Sequence, residues 1–246
     1  MKTLITRLRG LLNVTTSPVL PALPESDDVK RLISEIRAAS LSYCGPPKLE
    51  NIADAVLQVR CNEVPGLYLE AGVALGGSAI LIGRLKPDNV SLELYDVFEM
   101  IPSPNENDGE DAHKRYKEIS SGNSAGLGGN KYYGYVNGLI DVVKSNLNQF
   151  GIDPDHESIC FMPGLFEDTL HPFGPIAFAH IDCDWYDSVR VCIERIAPYL
   201  SIGGIIIFDD YSSYSGCRRA VDEWLERDSS IEKVFHQRSL GVRRGK

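Results

Sequence analysis

The 246-residue chain has no surplus of positive charge: 25 Lys and Arg stand against 34 Asp and Glu, a formal net charge of -9. A nucleic-acid partner needs a basic face to neutralise phosphates, so that class is excluded, and an anionic membrane surface is disfavoured. Six cysteines occur with no C-x-x-C pair and no histidine at zinc spacing, which argues against both a disulfide framework and a structural zinc site and fits a reducing cytoplasm. No apolar run is long enough to span a bilayer. Residues 1–17 are weakly basic and amphipathic, and Arg7 and Arg9 break any signal-peptide core. That stretch reads as an interfacial anchor or as a helix that covers the site or packs on a neighbour. Repeats, low-complexity tracts and linkers are also missing, so 43% hydrophobic residues serve one sizeable embellished domain.

What is present alternates. Helical periodicity marks 25–39, where Leu32, Ile33 and Ile36 share a face, and 47–61, where Ile52, Ala55, Val56 and Val59 do. Pro46 and Pro47 punctuate the gap between them. Five short apolar runs follow: Leu67–Glu70, Ser91–Val97, Ile159–Pro163, Ile176–Asp182 and Gly204–Asp209. Their near-continuous apolarity is that of parallel strands covered on both faces. Helical segments near 77–84, 138–150, 186–199 and 216–227 lie between or after them, which predicts a doubly wound α/β sheet. Ile231–Arg238 and Val242–Arg244 read as a terminal antiparallel hairpin turning around Leu240 and Gly241. Such an ending is the habit of the class I methyltransferase (Rossmann-like) fold. Residues 98–135 are too long for a plain connection and read as a lid insertion or a disordered insert. Their glycines and the tyrosines 132, 133 and 135 favour a lid.

Two patterns carry chemistry. The first strand runs into Glu70-Ala-Gly72-Val73-Ala74-Leu-Gly76-Gly77-Ser78 and then a helix. Glycines there let backbone approach a ligand, and a helix start offers free N–H groups. The spacing differs from the G-x-G-x-x-G of dinucleotide binders and fits the amino-acid end of S-adenosylmethionine, where no pyrophosphate is cradled. Asp96, ending the second strand, then accepts the ribose hydroxyls. The competing reading is that Gly72 and Gly76 only turn the chain. In the second pattern, acids end two neighbouring strands: His180-Ile-Asp182-Cys-Asp184 and Phe208-Asp209-Asp210-Tyr211. Carboxyl ends of parallel strands open into one crevice. Asp182, Asp209 and Asp210 converging there would repel one another unless a divalent cation compensated them, and all-oxygen ligands favour Mg²⁺, Mn²⁺ or Ca²⁺. Asp184, two residues past Asp182, is either the base that takes a hydroxyl proton or an N-cap for the next helix. His180 is a base or a core histidine. His113 is a weaker substrate contact, Arg218 and Arg219 read as surface or subunit contacts, and Trp185 and Trp224 as packing.

These motifs together resemble the macrocin O-methyltransferase family, sugar O-methyltransferases of natural-product tailoring. The resemblance covers roughly residues 48–245 and rests on the 70–78 loop and on Tyr-Asp-Val-Phe-Glu at 95–99. It rests further on Asp-Gly-Glu-Asp with Arg115 and Tyr116, Gly164-Leu-Phe166-Glu-Asp-Thr-Leu170, His-Ile-Asp-Cys-Asp-Trp-Tyr-Asp-Ser at 180–188, Phe-Asp-Asp-Tyr at 208–211, and Gly-Cys-Arg-Arg-Ala-Val-Asp at 216–222. It implies Mg²⁺ on Asp182, Asp209 and Asp210, Asp184 as base, Gly164 and Phe166 joining the cofactor residues, a mobile lid over a sugar, and a homo-oligomer. On this reading residues 1–47 form a helical or lid extension and 48–246 the methyltransferase domain. A catechol-type O-methyltransferase, a metal-dependent hydrolase and a non-catalytic cofactor-binding partner are the rival readings.

Overall fold

The computed structural model describes residues 23–155 and 158–246, so the amphipathic stretch at 1–17 lies outside the described residues. In chain order the elements are α1 (Ser26–Ala38), α2 (Pro46–Cys61), β1 (Leu67–Ala71), α3 (Gly77–Leu85), β2 (Leu92–Asp96), α4 (Glu110–Ser120), α5 (Leu139–Gln149), β3 (Ile159–Pro163), α6 (Phe166–Thr169), β4 (Ile176–Ile181), α7 (Tyr186–Ile196), β5 (Leu200–Phe208), α8 (Ser215–Leu225), β6 (Ile231–Gln237) and β7 (Ser239–Arg244). Pro46 and Pro47 do more than punctuate: they occupy the first turn of α2. An N–H is not needed there, and the fixed φ of proline suits the helix.

One seven-stranded sheet has the order β3-β2-β1-β4-β5-β7-β6. The five strands from β3 to β5 are parallel, and β7 runs antiparallel to both β5 and β6. The hairpin turns two residues before Leu240, at Arg238 with φ 69°, while Leu240 and Gly241 lie inside β7 opposite Phe208 and Ile207. Gly241 is there for space, because a Cβ would meet the Phe235 ring at 2.2 Å.

Strand parity divides the core in two. Tyr68, Leu94, Phe178 and Ile207 face α1, α2, α3 and α5, whereas Leu69, Tyr95, Ala179 and Phe208 face α7 and α8. Register then decides what gathers at the strand ends. Ala71 pairs with Tyr95 and Ile181, and Ile181 with Phe208. The residues just beyond this row are Gly72, Asp96, Asp182 and Asp209, so a loop glycine and three acids leave the sheet side by side.

The 98–135 segment is built rather than loose. It contains α4, whose few apolar residues gave little periodic signal, and it buries Ala112, Ile119 and Tyr132. Its polar groups fasten it to α7 and α8. Trp185 Nε1 donates to Pro102 O (2.9 Å), Asp108 accepts from Tyr186 N (2.7 Å), and Asp111 accepts from Ser215 N and Oγ (2.7 and 2.9 Å). Arg219 reaches Asn107 O at 2.6 Å and stacks over Tyr186, so it holds this segment within the chain. Among the described residues no helix is long and apolar enough to cross a membrane, and all six cysteines are free.

Candidate active site

Two cavities open at the carboxyl ends of the strands. The first, about 190 Å³, is bounded by Asp96, Glu99, Gly164, Phe166 and the turn after β4. The second, about 210 Å³, is bounded by Tyr43, Lys48, Arg115, Tyr132, Asp209 and Asp210. They share a wall made of Gly72, Asp96, Tyr133, Asp182 and Asp184. Asp182 and Asp184 therefore face both chambers.

Gly72 is fixed by close approach as well as by conformation. Its φ is 95°, and a Cβ would lie 1.9 Å from Asp182 O. Gly76 (φ 85°) caps α3. Ala74, also at positive φ, lines the second cavity, whereas Val73, Gly76 and Ser78 line neither. Gly77 N donates to Leu41 O (3.1 Å), so part of the α3 start is covered by the chain itself. Asp96 is largely committed to backbone: Oδ2 accepts from Val73 N (2.7 Å) and Ala74 N (3.2 Å), and Oδ1 from Phe98 N (2.7 Å). Burial raises its pKa against these bonds. Asp96 thus braces the glycine loop from below and still edges the first cavity, with fewer free lone pairs for ribose than the sequence suggests.

Glu70 is not on the cavity surface. Parity turns it, like Tyr68, toward the α2 face, and register sets it beside His180. Both are fully buried, and His180 Nδ1 lies 2.8 Å from Glu70 Oε1. Burial opposes charge on the imidazole, but Asp209 and Glu70 outweigh it and hold the His180 pKa up to about 10. His180 is therefore a buried core residue whose raised pKa favours the charged form, with Nε2 free of hydrogen bonds and 3.8 Å from Asp209 Oδ1.

The acids converge. Asp182, Asp209 and Asp210 offer oxygens within 4.8 Å of one another. Burial and the neighbouring carboxylates push Asp182 and Asp184 well above the usual range. Asp209 is also buried, yet His180 and Lys48 hold its pKa below the usual value. Buried Asp209 Oδ1 and Asp210 Oδ2 have no hydrogen-bond partner. Three crowded carboxylates, two of them with an orphaned oxygen, fit the donor set of a hard divalent cation. A second grouping, Cys44, His180 and Asp182, suits a hard cation less well, because it offers a thiol and an imidazole in place of oxygens and His180 Nδ1 is already paired with Glu70.

Asp184 sits at φ 60° between the cavities, where burial and the neighbouring Asp210 raise its pKa. It does not cap α7, whose N-cap is Trp185. His113 is exposed, 3.0 Å from Asn105 O, and lines neither cavity. Sequence reasoning missed Lys48, Tyr43 and Tyr214 at the site, and it marked Tyr132 and Tyr133 for the lid and Arg115 for a motif without placing them on a cavity wall. Lys48, on the first turn of α2, donates to Asp209 Oδ2 at 2.5 Å and lies 3.7 Å from Asp210 Oδ1. Arg115 and four tyrosines (43, 132, 133 and 214) wall the second cavity. Nothing in a lone lysine beside two prolines signals that role, because it depends on α2 lying over the ends of β4 and β5.

The family model for macrocin O-methyltransferase (TylF) matches residues 24–239. Over 204 residues the chain is 31% identical to a Streptomyces olivaceus enzyme, 8-demethyl-8-(2,3-dimethoxy-α-L-rhamnosyl)-tetracenomycin-C 4'-O-methyltransferase, covering 80% of this chain and 72% of that one. It is 34% identical over 197 residues to the demethyldecarbamoylnovobiocin O-methyltransferase of Streptomyces niveus, covering 78% and 70%. Among solved structures it resembles the O-methyltransferase NovP with a TM-score of 0.70 and 26% identity over 88% of each chain. It shares its fold with the calicheamicin methyltransferase CalS11, with a TM-score of 0.61 and 18% identity over 92% of this chain and 95% of the other. Fold order, the loop at 70–78 and these relatives agree: the chain belongs to the macrocin O-methyltransferase family and is an S-adenosylmethionine-dependent O-methyltransferase.

Proposed function

We propose that the chain methylates a sugar hydroxyl of a glycosylated natural product or related glycoside, with Mg²⁺ held by Asp182, Asp209 and Asp210. The observation that carries this reading is that Asp182 and Asp184 stand on the wall shared by the two cavities, with Asp209 and Asp210 beside them in the second. The relatives named as acting on a rhamnosyl unit and on a novobiocin precursor support the glycoside class.

When bound, the cation supplies positive charge that makes an alcohol a better acid near neutral pH. The chain does the rest. Gly72, with Gly164 and Phe166 across the first cavity, positions the donor, and Asp96 keeps the loop that carries Val73 and Ala74 in shape. The tyrosines of the second cavity offer flat apolar faces suited to a sugar ring. Asp184 accepts the hydroxyl proton as the oxygen attacks the sulfonium methyl, and in-line placement of the two reactants is the main catalytic effect. The segment at 98–135 excludes water from both chambers. On this reading residues 1–47 are an extension feeding the second cavity through Tyr43 and Cys44, and residues 48–246 form the methyltransferase domain.

The test is transfer from labelled S-adenosylmethionine to a panel of 6-deoxyhexosides and catechols, with Mg²⁺ or with chelator. Label should appear on a deoxyhexoside and be lost with chelator. Labelling of catechols alone would overturn the sugar reading, and chelator-resistant turnover the metal reading.

A further inference from the structure

Lys48 stands where the charge balance of the acidic site is decided. It is four-fifths buried, at 19% side-chain exposure, and its ammonium contacts the two adjacent acids that end β5. Burial opposes its charge, but Asp209 and Asp210 outweigh that cost and raise its pKa. Among the described residues it and His180 are the cations that touch the cluster, and His180 is already paired with Glu70. We propose that Lys48 is the resident counter-ion of the acidic site, one that a divalent cation must displace, so that this lysine limits how tightly the cation is held. The inference rests on the metal reading above.

A divalent ion reaching one oxygen from each of Asp182, Asp209 and Asp210 would lie roughly 2–2.5 Å from each. Those oxygens all fall within 4.8 Å of one another, and the ammonium already holds Asp209 Oδ2 and lies 3.7 Å from Asp210 Oδ1, on the same two carboxylates whose other oxygens are orphaned. Two cations cannot share so small a space in a buried setting without strong repulsion. Without either, two buried carboxylates and the half-buried Asp182 would have only His180, already paired with Glu70, to offset them, which folding does not tolerate cheaply. Lys48 therefore lets the metal-free protein keep the site assembled, and the same contact taxes cation binding, because the competent state is the one with Lys48 withdrawn. Its open side is the second cavity, which it helps to line, so a withdrawn ammonium enters the chamber that holds the acceptor.

The test is direct titration with Mn²⁺, read by the paramagnetic signal of free ion, on the full chain and on Lys48→Met and Lys48→Arg. Methyl transfer plays no part in the readout. Lys48→Met should bind roughly ten- to a hundredfold more tightly, the factor expected from removing one charge-assisted bond. It should also show a larger Mn²⁺-induced rise in melting temperature, from a lower metal-free value. Lys48→Arg, which keeps the charge, should stay within about threefold of the parent. Equal or weaker Mn²⁺ binding by a folded Lys48→Met overturns the inference while leaving the metal site intact. If the parent and both variants take no Mn²⁺, the metal reading fails and this inference fails with it.

Discussion

Replacing Glu70 by glutamine tests whether the first acid of the glycine loop serves the cofactor or the core. The carboxylate is fully buried, lines neither cavity and bonds the His180 ring at 2.8 Å. In the metal-free protein the His180 pKa stands at about 10 against an ordinary 6.5. At about 1.4 kcal/mol per pH unit, that span sets a ceiling of about 5 kcal/mol on the stability gained by holding the proton. Asp209 supplies part of it, and glutamine retains an oxygen to accept from Nδ1–H. The expected loss is therefore about 2–4 kcal/mol, near the lower range for breaking a buried pair, or about 5–15 °C in melting temperature for a domain of this size. The sign follows from a raised pKa: the stabilisation is complete below pH 6.5 and disappears as pH climbs through about 10. Unfolding of both proteins should be followed from pH 6 to 10 with chelator present, so that no cation sits against Asp209. The gap should be widest at the acid end and close toward the alkaline end, with the KM for S-adenosylmethionine within about twofold. A gap that does not change with pH, or an intact stability with a raised cofactor KM, would refute this reasoning.

Other outcomes follow from the same geometry. Asp184→Asn should lower kcat by about 10²–10⁴ while leaving cofactor affinity measured by calorimetry unchanged, and full turnover would remove the residue from the mechanism. Gly72→Ala must fit a Cβ 1.9 Å from Asp182 O at φ 95°, so chemical denaturation should show a loss of about 2–5 kcal/mol. Asp111→Asn weakens the bonds to Ser215 that pin α4, so hydrogen exchange across 110–120 should quicken and the acceptor KM rise while the melting temperature barely moves. Unchanged exchange there would argue that the segment is held by other contacts.

The sequence alone determined the alternation of elements, the sheet with its terminal hairpin and the two strand-end motifs, because apolar runs, helical periodicity and glycine–acid spacing are local and each residue carries its part of the signal. It also marked Asp182, Asp209 and Asp210 as a group, since parallel strands open at one edge wherever they lie in the chain. Tertiary structure alone decided the rest. Register turned Glu70 inward to His180, a contact across 110 positions that no spacing encodes. Crowding beneath the loop set Asp96 to bracing backbone amides. The packing of α2 over β4 and β5 brought Lys48 into a site otherwise built from acids 134 or more positions away. Charge balance in a buried cluster depends on every group that reaches it, and which groups do so is fixed only when the helices have settled on the sheet.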